Sequence, residues 1–123
     1  MTIYKYEDLP NLTRRSIQIY TILVVAAHNR QILTYKIVAN LIGYRGAGVL
    51  DRQLGLLLHW CEHNNLPPLT SIVVNTKTGI PGEGFQLEDM NSAREKVFAF
   101  KWYQIVAPTE DDLNEYLPLV SRG

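Results

Sequence analysis

The sequence predicts an α+β fold that is mainly α: a winged helix-turn-helix with a small β-hairpin wing and C-terminal helices. Apolar residues recur at helical spacing in three successive segments of the N-terminal half. A β-branched run follows, and the stretch after it is rich in glycine and proline, which suits a hairpin. This order of helices, strand, wing and strand is that of a winged helix-turn-helix. The 123 residues amount to roughly one domain.

The first two helices are predicted from apolar spacing and from their caps. The first covers residues 14–29, with Thr13 as its N-cap. The second covers residues 35–42 behind a Thr34 cap, and Gly43 ends it because glycine is favoured just after a helix.

The third helix is the clearest, and it leads into the strand and the wing. It covers roughly residues 47–63, and its apolar stripe is expected to face the core. Residues 71–75 are predicted to form a strand. Residues 75–85 suit a wide hairpin that returns to a second short strand near 84–87. The stripe of the third helix consists of Leu50, Leu54, Leu57, Leu58 and Cys61.

Two capping boxes predict the C-terminal helices. Ser92 with Glu95 is expected to open a fourth helix that reaches about Phe100, and the segment after it can continue the helix or extend as a strand. Thr109 with Asp112 repeats the signature for a short terminal helix. That helix carries Leu113, Tyr116 and Leu117.

Charge is segregated along the chain although twelve basic and twelve acidic residues cancel. Residues 9–61 hold six bases against one acid, a net charge of +5, whereas nine acids oppose five bases from residue 62 onward, a net charge of −4. A DNA-facing surface needs its charge on the helical half. The leading candidate is Arg52, which is predicted to project from the outer face of the third helix. The alternative is that these basic residues are ordinary solvent-exposed charges on the helix surfaces and bind no ligand.

Three motifs follow one another in the order LTYKIVANLIGYRGAG, RQLG and PLTSIVVNTKTGIPGEGF. On these motifs residues 33–85 resemble the DNA-binding domain of alkylguanine-DNA alkyltransferases and their non-enzymatic alkyltransferase-like relatives. The resemblance implies a core at 33–85 within a single domain of 1–123, with 86–123 as a C-terminal helical extension. It also implies that Arg52 fills the gap left by an extruded base and that Tyr35 presses on the adjacent phosphate, although Tyr35 equally suits the core. The residues expected to contact DNA are Tyr35, Lys36, Arg45, Gly48, Arg52, Gln53, Thr70, Asn75 and Lys77.

The departures from the family pattern exclude its chemistry. Leu69 stands where the resemblance places the alkyl-accepting cysteine, and Thr70 and Ser71 replace the family's histidine and arginine. Because an aliphatic side chain offers no thiolate, alkyl transfer is excluded at this position and no enzyme is predicted. Cys61 lies on the apolar stripe of the third helix and is expected to be a buried structural thiol.

Other chemistry is weakly indicated. His59 and His63 are i, i+4 neighbours, but Cys61 points away from them, so no metal site and no cofactor are predicted. The single cysteine excludes an intramolecular disulfide and fits a reducing compartment, hence a cytoplasmic location. The longest apolar stretch, residues 17–27, is about half of the roughly 20 residues that a membrane span needs.

The sequence therefore predicts a non-catalytic protein that binds double-stranded DNA, either as a sensor of modified bases or as a small regulator. The alternative class is a protein–protein interaction module, including a homodimer, built on the same fold. The neutral total charge, the acidic C-terminal third and a run of aromatic residues favour it. An accessory of a nuclease or restriction system is a third interpretation. The aromatic residues are Phe98, Phe100, Trp102 and Tyr103.

Overall fold

The computed structural model describes residues 2–4, 11–44, 50–75 and 90–120. This part of the chain is mainly helical with a small sheet, as expected. The predicted wing after Asn75 and its second strand at 84–87 lie outside the described residues. The elements, in chain order, are α1 (Leu12–His28), β1 (Leu33–Thr34), α2 (Tyr35–Leu41), α3 (Asp51–His63), a 3₁₀ helix (Leu69–Ile72), β2 (Val73–Val74), α4 (Met90–Ala99), a second 3₁₀ helix (Trp102–Gln104), α5 (Glu110–Asn114) and α6 (Leu117–Val120).

The described sheet consists of two short parallel strands. Leu33 pairs with Val73 and Thr34 with Val74. The strand predicted over residues 71–75 is therefore reduced to its two valines, because Ser71 and Ile72 belong to the preceding 3₁₀ helix. All four residues of that 3₁₀ helix are buried and pack between α1, α3 and α4. The strand can therefore begin only after them.

Helix α1 begins earlier than predicted. Its N-cap is Asn11, whose side-chain oxygen accepts a hydrogen bond from the Arg14 amide at 2.9 Å. The prediction of Thr13 as the cap is wrong. Thr13 lies inside the first turn, where its buried hydroxyl donates to Asn114 Oδ1 at 2.7 Å and joins α1 to the end of α5.

Helix α2 has the predicted caps. The Thr34 side chain accepts a hydrogen bond from the Ile37 amide at 3.1 Å, which confirms the N-cap. After the helix, Gly43 adopts a φ of +82°, and the Tyr44 amide donates to the Ala39 carbonyl at 2.8 Å. This is a Schellman ending, and its left-handed position favours glycine because a Cβ would be strained there.

Helix α3 supplies the centre of the core. Leu50, Leu54, Leu57 and Cys61 are buried, as predicted, whereas Leu58 of the predicted stripe is only half-buried. Leu56 and Trp60 are buried as well, so the buried arc is wider than the sequence indicated. α3 packs mainly against α1, where the Tyr20 and Trp60 rings meet edge to face with centroids 5.6 Å apart. Burial on this scale is the main stabilising term of the fold.

The C-terminal elements close over α1 and α3. α4 begins at Met90, so Ser92 lies inside the helix and the capping box predicted there is wrong. The box formed by Thr109 and Asp112 is confirmed, with both of its hydrogen bonds present. The segment after α4 forms a 3₁₀ helix whose Trp102 is buried and donates its indole N–H to the Val97 carbonyl at 2.9 Å. No helix within the described ranges is both long and apolar enough to cross a membrane.

Candidate nucleic-acid interface

Arg52 lies in the first turn of α3 and is exposed. The opposite side of the helix is buried, with Leu54 and Leu57 in the core. No hydrogen bond or ion pair connects the Arg52 guanidinium with another of the described residues. A permanently charged, planar donor group is therefore presented at the start of the helix.

A network of hydrogen bonds fixes the start of α3 to α1 and to the turn after α2. The Ser16 hydroxyl donates to the Gln53 carbonyl at 3.0 Å, and the Gln53 amide Nε2 donates to the Tyr44 hydroxyl at 3.2 Å. On the other side of Tyr44, the Arg15 guanidinium lies 4.7 Å from the ring centroid and donates to the Ile42 carbonyl at 2.8 Å. These contacts join α1, the Gly43 turn and α3 into one support for Arg52.

Gln53 is thus a supporting residue and not an exposed one. Its side chain is 4% exposed and faces Tyr44, so the prediction that it contacts DNA is corrected. The reason is the width of the buried arc of α3, which extends beyond the leucine stripe to include this position.

The edge where the two strands end brings two predicted residues together. Because Thr34 pairs with Val74 in parallel register, the residues that follow them, Tyr35 and Asn75, come directly after the same end of the sheet. Adjacent strands lie about 5 Å apart, so the backbones at Thr34 and Val74, directly before these two residues, are close together. Tyr35 is half-buried, which fits both of its predicted roles, while Lys36 and Asn75 are exposed.

Thr70 does not belong to this surface. It is 6% exposed and lies in the 3₁₀ helix between α1, α3 and α4, so a direct contact with DNA is excluded in this arrangement. Its hydroxyl and that of Ser71 are buried without a hydrogen-bond partner among the residues that the structure describes. Leu69 beside them is fully buried. Three further predicted contact positions, Arg45, Gly48 and Lys77, lie outside the described residues.

Folding partly cancels the charge segregation of the sequence. Arg14 pairs with Glu110 of α5 at 2.6 Å, and Arg30 makes two 2.8 Å contacts with the Glu95 carboxylate of α4. Acids of the C-terminal part thus neutralise two bases of α1 and its end. Among the described residues near the starts of α2 and α3, Lys36 and Arg52 are the basic ones that remain exposed.

The C-terminal segment covers part of the outer face of α3. A Cβ built on Gly55 would lie 2.8 Å from Val120 Cγ1, so α6 approaches the α3 backbone closely. One and two turns further on, the Tyr116 ring stacks on His59 at 6.2 Å and meets His63 edge to face at 5.3 Å. Within the described residues, these contacts leave the first turn of this face, with Arg52, uncovered.

The two histidines of α3 therefore contact an aromatic ring. Within the described part of the chain no three His, Cys, Asp or Glu side chains are grouped closely enough to hold a metal ion. Cys61 is fully buried, as predicted, and this burial raises the pKa of its thiol to about 11. At neutral pH the thiol is protonated and therefore unreactive.

Sequence reasoning missed several exposed apolar side chains. On α2, Ile37 is 46% and Leu41 62% exposed, one turn apart on the outward face. The buried residues of this helix are Val38 and Ala39. Ile37 and Leu41 lie outside that apolar stripe, so the helical spacing of the sequence already indicates their exposure. Of the aromatic run after α4, Trp102 packs into the core, but Tyr103 is 63% exposed.

Compared with known proteins, the chain matches no family model, no curated protein and no solved structure. The resemblance of residues 33–85 to alkyltransferases stays a prediction.

Proposed function

We propose that this protein binds double-stranded DNA without catalysing a reaction, and that the first turns of α2 and α3 face the duplex. The observation that carries the proposal is the exposed Arg52 on the outer side of a helix whose inner side is buried. Arginine is suited to this role because its guanidinium binds phosphate or a guanine edge with two hydrogen bonds.

The covered part of α3 limits how the duplex docks. α6 and Tyr116 occupy the face from Gly55 to His63, so contact is restricted to the first turn. In helix-turn-helix proteins the N-terminal residues of the recognition helix contact the base edges, which is compatible with such an arrangement. Lys36 and Asn75 at the strand edge are then available for the phosphate backbone.

The proposal that the protein is not a catalyst rests on two residues. Leu69 is aliphatic and sealed in the core, and Cys61 is a buried thiol with a raised pKa. Neither supplies an accessible nucleophile, which alkyl transfer requires.

The test is a fluorescence anisotropy titration of the full chain with plain duplex, alkylated duplex and single-stranded DNA. Binding to duplex is expected, and Arg52→Ala is expected to weaken it at least about five-fold, the loss of one specific arginine contact. Lys96→Ala is the matched control, because Lys96 is an exposed cation on α4, away from the proposed surface. The alkylated arm separates a lesion sensor from a sequence reader. No binding to either duplex overturns the proposal, and equal affinities for wild type and Arg52→Ala overturn the assigned site.

A second candidate, the protein-interaction module, is favoured by the outward face of α2. Ile37 and Leu41 are exposed beside Lys36, and together they form an apolar pair with a charged neighbour. A homodimer through this pair covers Lys36 and competes with DNA. Light scattering tests it: a stable dimer that Leu41→Glu converts to a monomer supports this function, and a monomer at all concentrations rejects the homodimer.

A further inference from the structure

We infer that a second site, separate from the DNA surface, binds a planar heteroaromatic ring that carries negative charge, the chemistry of a nucleotide base with its phosphate. The site is a cleft of about 360 Å³ between the C-terminal end of α1 and the segment that follows α4. Ligand pockets in proteins span about 300–1,000 Å³, so the cleft is large enough for one small ligand.

The walls of the cleft are mainly aromatic. Phe100 and Trp102 meet with ring centroids 4.6 Å apart, and His28 and Tyr103 meet edge to face at 5.8 Å. Tyr20 continues the cluster into the core, 6.4 Å from Trp102. Aromatic walls favour a flat ligand, since stacked and edge-to-face contacts add to the burial of the ring.

Tyr103 is the residue best placed to stack on such a ligand. It is 63% exposed, whereas Trp102 is 3% exposed and its indole N–H is already bonded to the Val97 carbonyl. An exposed tyrosine at the rim of an apolar cleft resembles the stacking platforms on which proteins hold bases without reading their sequence.

The charge of the residues that line the cleft favours a negatively charged ligand. Among the described residues that line it, Lys101 alone carries a full charge, and no carboxylate is present. Lys101 is exposed, so its ammonium can approach a phosphate at the cleft mouth. Nearby, the Arg30 guanidinium lies over the Phe98 ring at 5.0 Å, and its own charge is balanced by Glu95.

Arg30 holds one side of the cleft in place. Its φ is +55°, a left-handed conformation that is strained for a residue with a Cβ. The contacts with Glu95 and with the ring of Phe98, which lines the cleft, offset that strain. The end of α1 and the end of α4 are thus joined at the cleft.

The cleft is distant from the proposed DNA surface. Ser16 of α1 supports the start of α3, and His28 at the cleft is twelve residues further along the same helix. At 1.5 Å per residue this separation is about 18 Å. The site therefore goes beyond the proposed function, and substitutions in one location leave the other intact.

The test is a titration of the ¹⁵N-labelled full chain with adenosine monophosphate, adenosine, ribose 5-phosphate and a short single-stranded oligonucleotide, followed by NMR. The nucleotide is expected to shift amides of residues 24–28 and 98–104. Adenosine is expected to bind more weakly, and ribose 5-phosphate not detectably. Tighter binding of the oligonucleotide than of the mononucleotide identifies a single strand as the source of the base, and the reverse identifies a free nucleotide.

Three variants assign the contacts. Tyr103→Ala is expected to weaken nucleotide binding at least about five-fold, the value of one stacked base, while Tyr103→Phe retains it. Lys101→Ala weakens binding of the nucleotide but not of adenosine, and Lys96→Ala, a matched exposed lysine on α4, changes neither. Absence of shifts at 98–104 with both the nucleotide and the oligonucleotide overturns the inference, as does wild-type affinity in Tyr103→Ala.

Discussion

Replacing Gln53 separates a residue that supports the site from one that contacts DNA. In the structure its buried amide donates to the Tyr44 hydroxyl at 3.2 Å. Gln53→Ala removes that hydrogen bond, worth about 1 kcal/mol, and one buried methylene, worth about 0.8 kcal/mol. The free energy of unfolding is therefore expected to fall by about 2 kcal/mol. Gln53→Met keeps the methylene and is expected to lose about 1 kcal/mol.

The assay pairs urea unfolding, followed by the fluorescence of the buried Trp60 and Trp102, with duplex titration of each variant. Under conditions where the variants stay folded, Gln53→Ala is expected to bind DNA within about two-fold of wild type, since its side chain does not reach the surface. Arg52→Ala shows the opposite behaviour: its stability changes by less than about 0.5 kcal/mol, as for most surface substitutions, while its affinity falls. An unchanged stability of Gln53→Ala together with a loss of DNA affinity equal to that of Arg52→Ala refutes the assignment.

Three further outcomes are expected. Gly55→Ala places a methyl group against Val120, so amide hydrogen exchange at residues 117–120 should accelerate. The free energy of unfolding is expected to change by less than about 1 kcal/mol, because the gain in helix propensity offsets the lost contact. Unchanged hydrogen exchange at these residues would contradict the packing of α6 on α3. The buried thiol of Cys61 has its pKa raised from 9.0 to about 11, so the folded state keeps this thiol protonated to higher pH than the unfolded state does. Stability should therefore decline by about 2 kcal/mol between pH 9 and 11. Urea unfolding of Cys61→Ala should show a flatter decline over that range, and parallel curves would disprove the effect. Leu69→Cys places a thiol in the core, so mass spectrometry after iodoacetamide treatment should find it as slow to react as Cys61, and rapid modification would show that position 69 is accessible.

The features that the sequence predicted well are local. Thr34 and Gly43 were identified because a cap and a left-handed turn depend on a few adjacent residues. The Thr109 capping box is of the same kind. The Thr13 cap was wrong because a tertiary hydrogen bond with Asn114 occupies the threonine, and Asn11 caps the helix instead.

The features that the sequence could not predict depend on distant parts of the chain. Arg14 and Glu110 are 96 residues apart in the sequence, and Arg30 and Glu95 are 65 apart. Counting the net charge of each half of the sequence does not show that these residues form ion pairs in the fold. Gln53 was expected outside because leucines alone defined the inner face of α3, whereas the packing of α1 and the Gly43 turn buries the glutamine too. For the candidate site, the exposure of Arg52 follows from periodicity, but the cover that α6 forms over Gly55 does not.

The salt dependence of duplex binding by wild type and Arg52→Ala shows whether the Arg52 guanidinium contacts DNA. Each phosphate contact releases counterions, so a plot of log affinity against log salt concentration has a negative slope of about 0.9 per contact. If the Arg52 guanidinium contacts a phosphate, the slope of Arg52→Ala is expected to be shallower by about 1 than that of wild type, while Lys96→Ala keeps the wild-type slope. Identical slopes and affinities for wild type and Arg52→Ala would show that Arg52 does not contact the duplex.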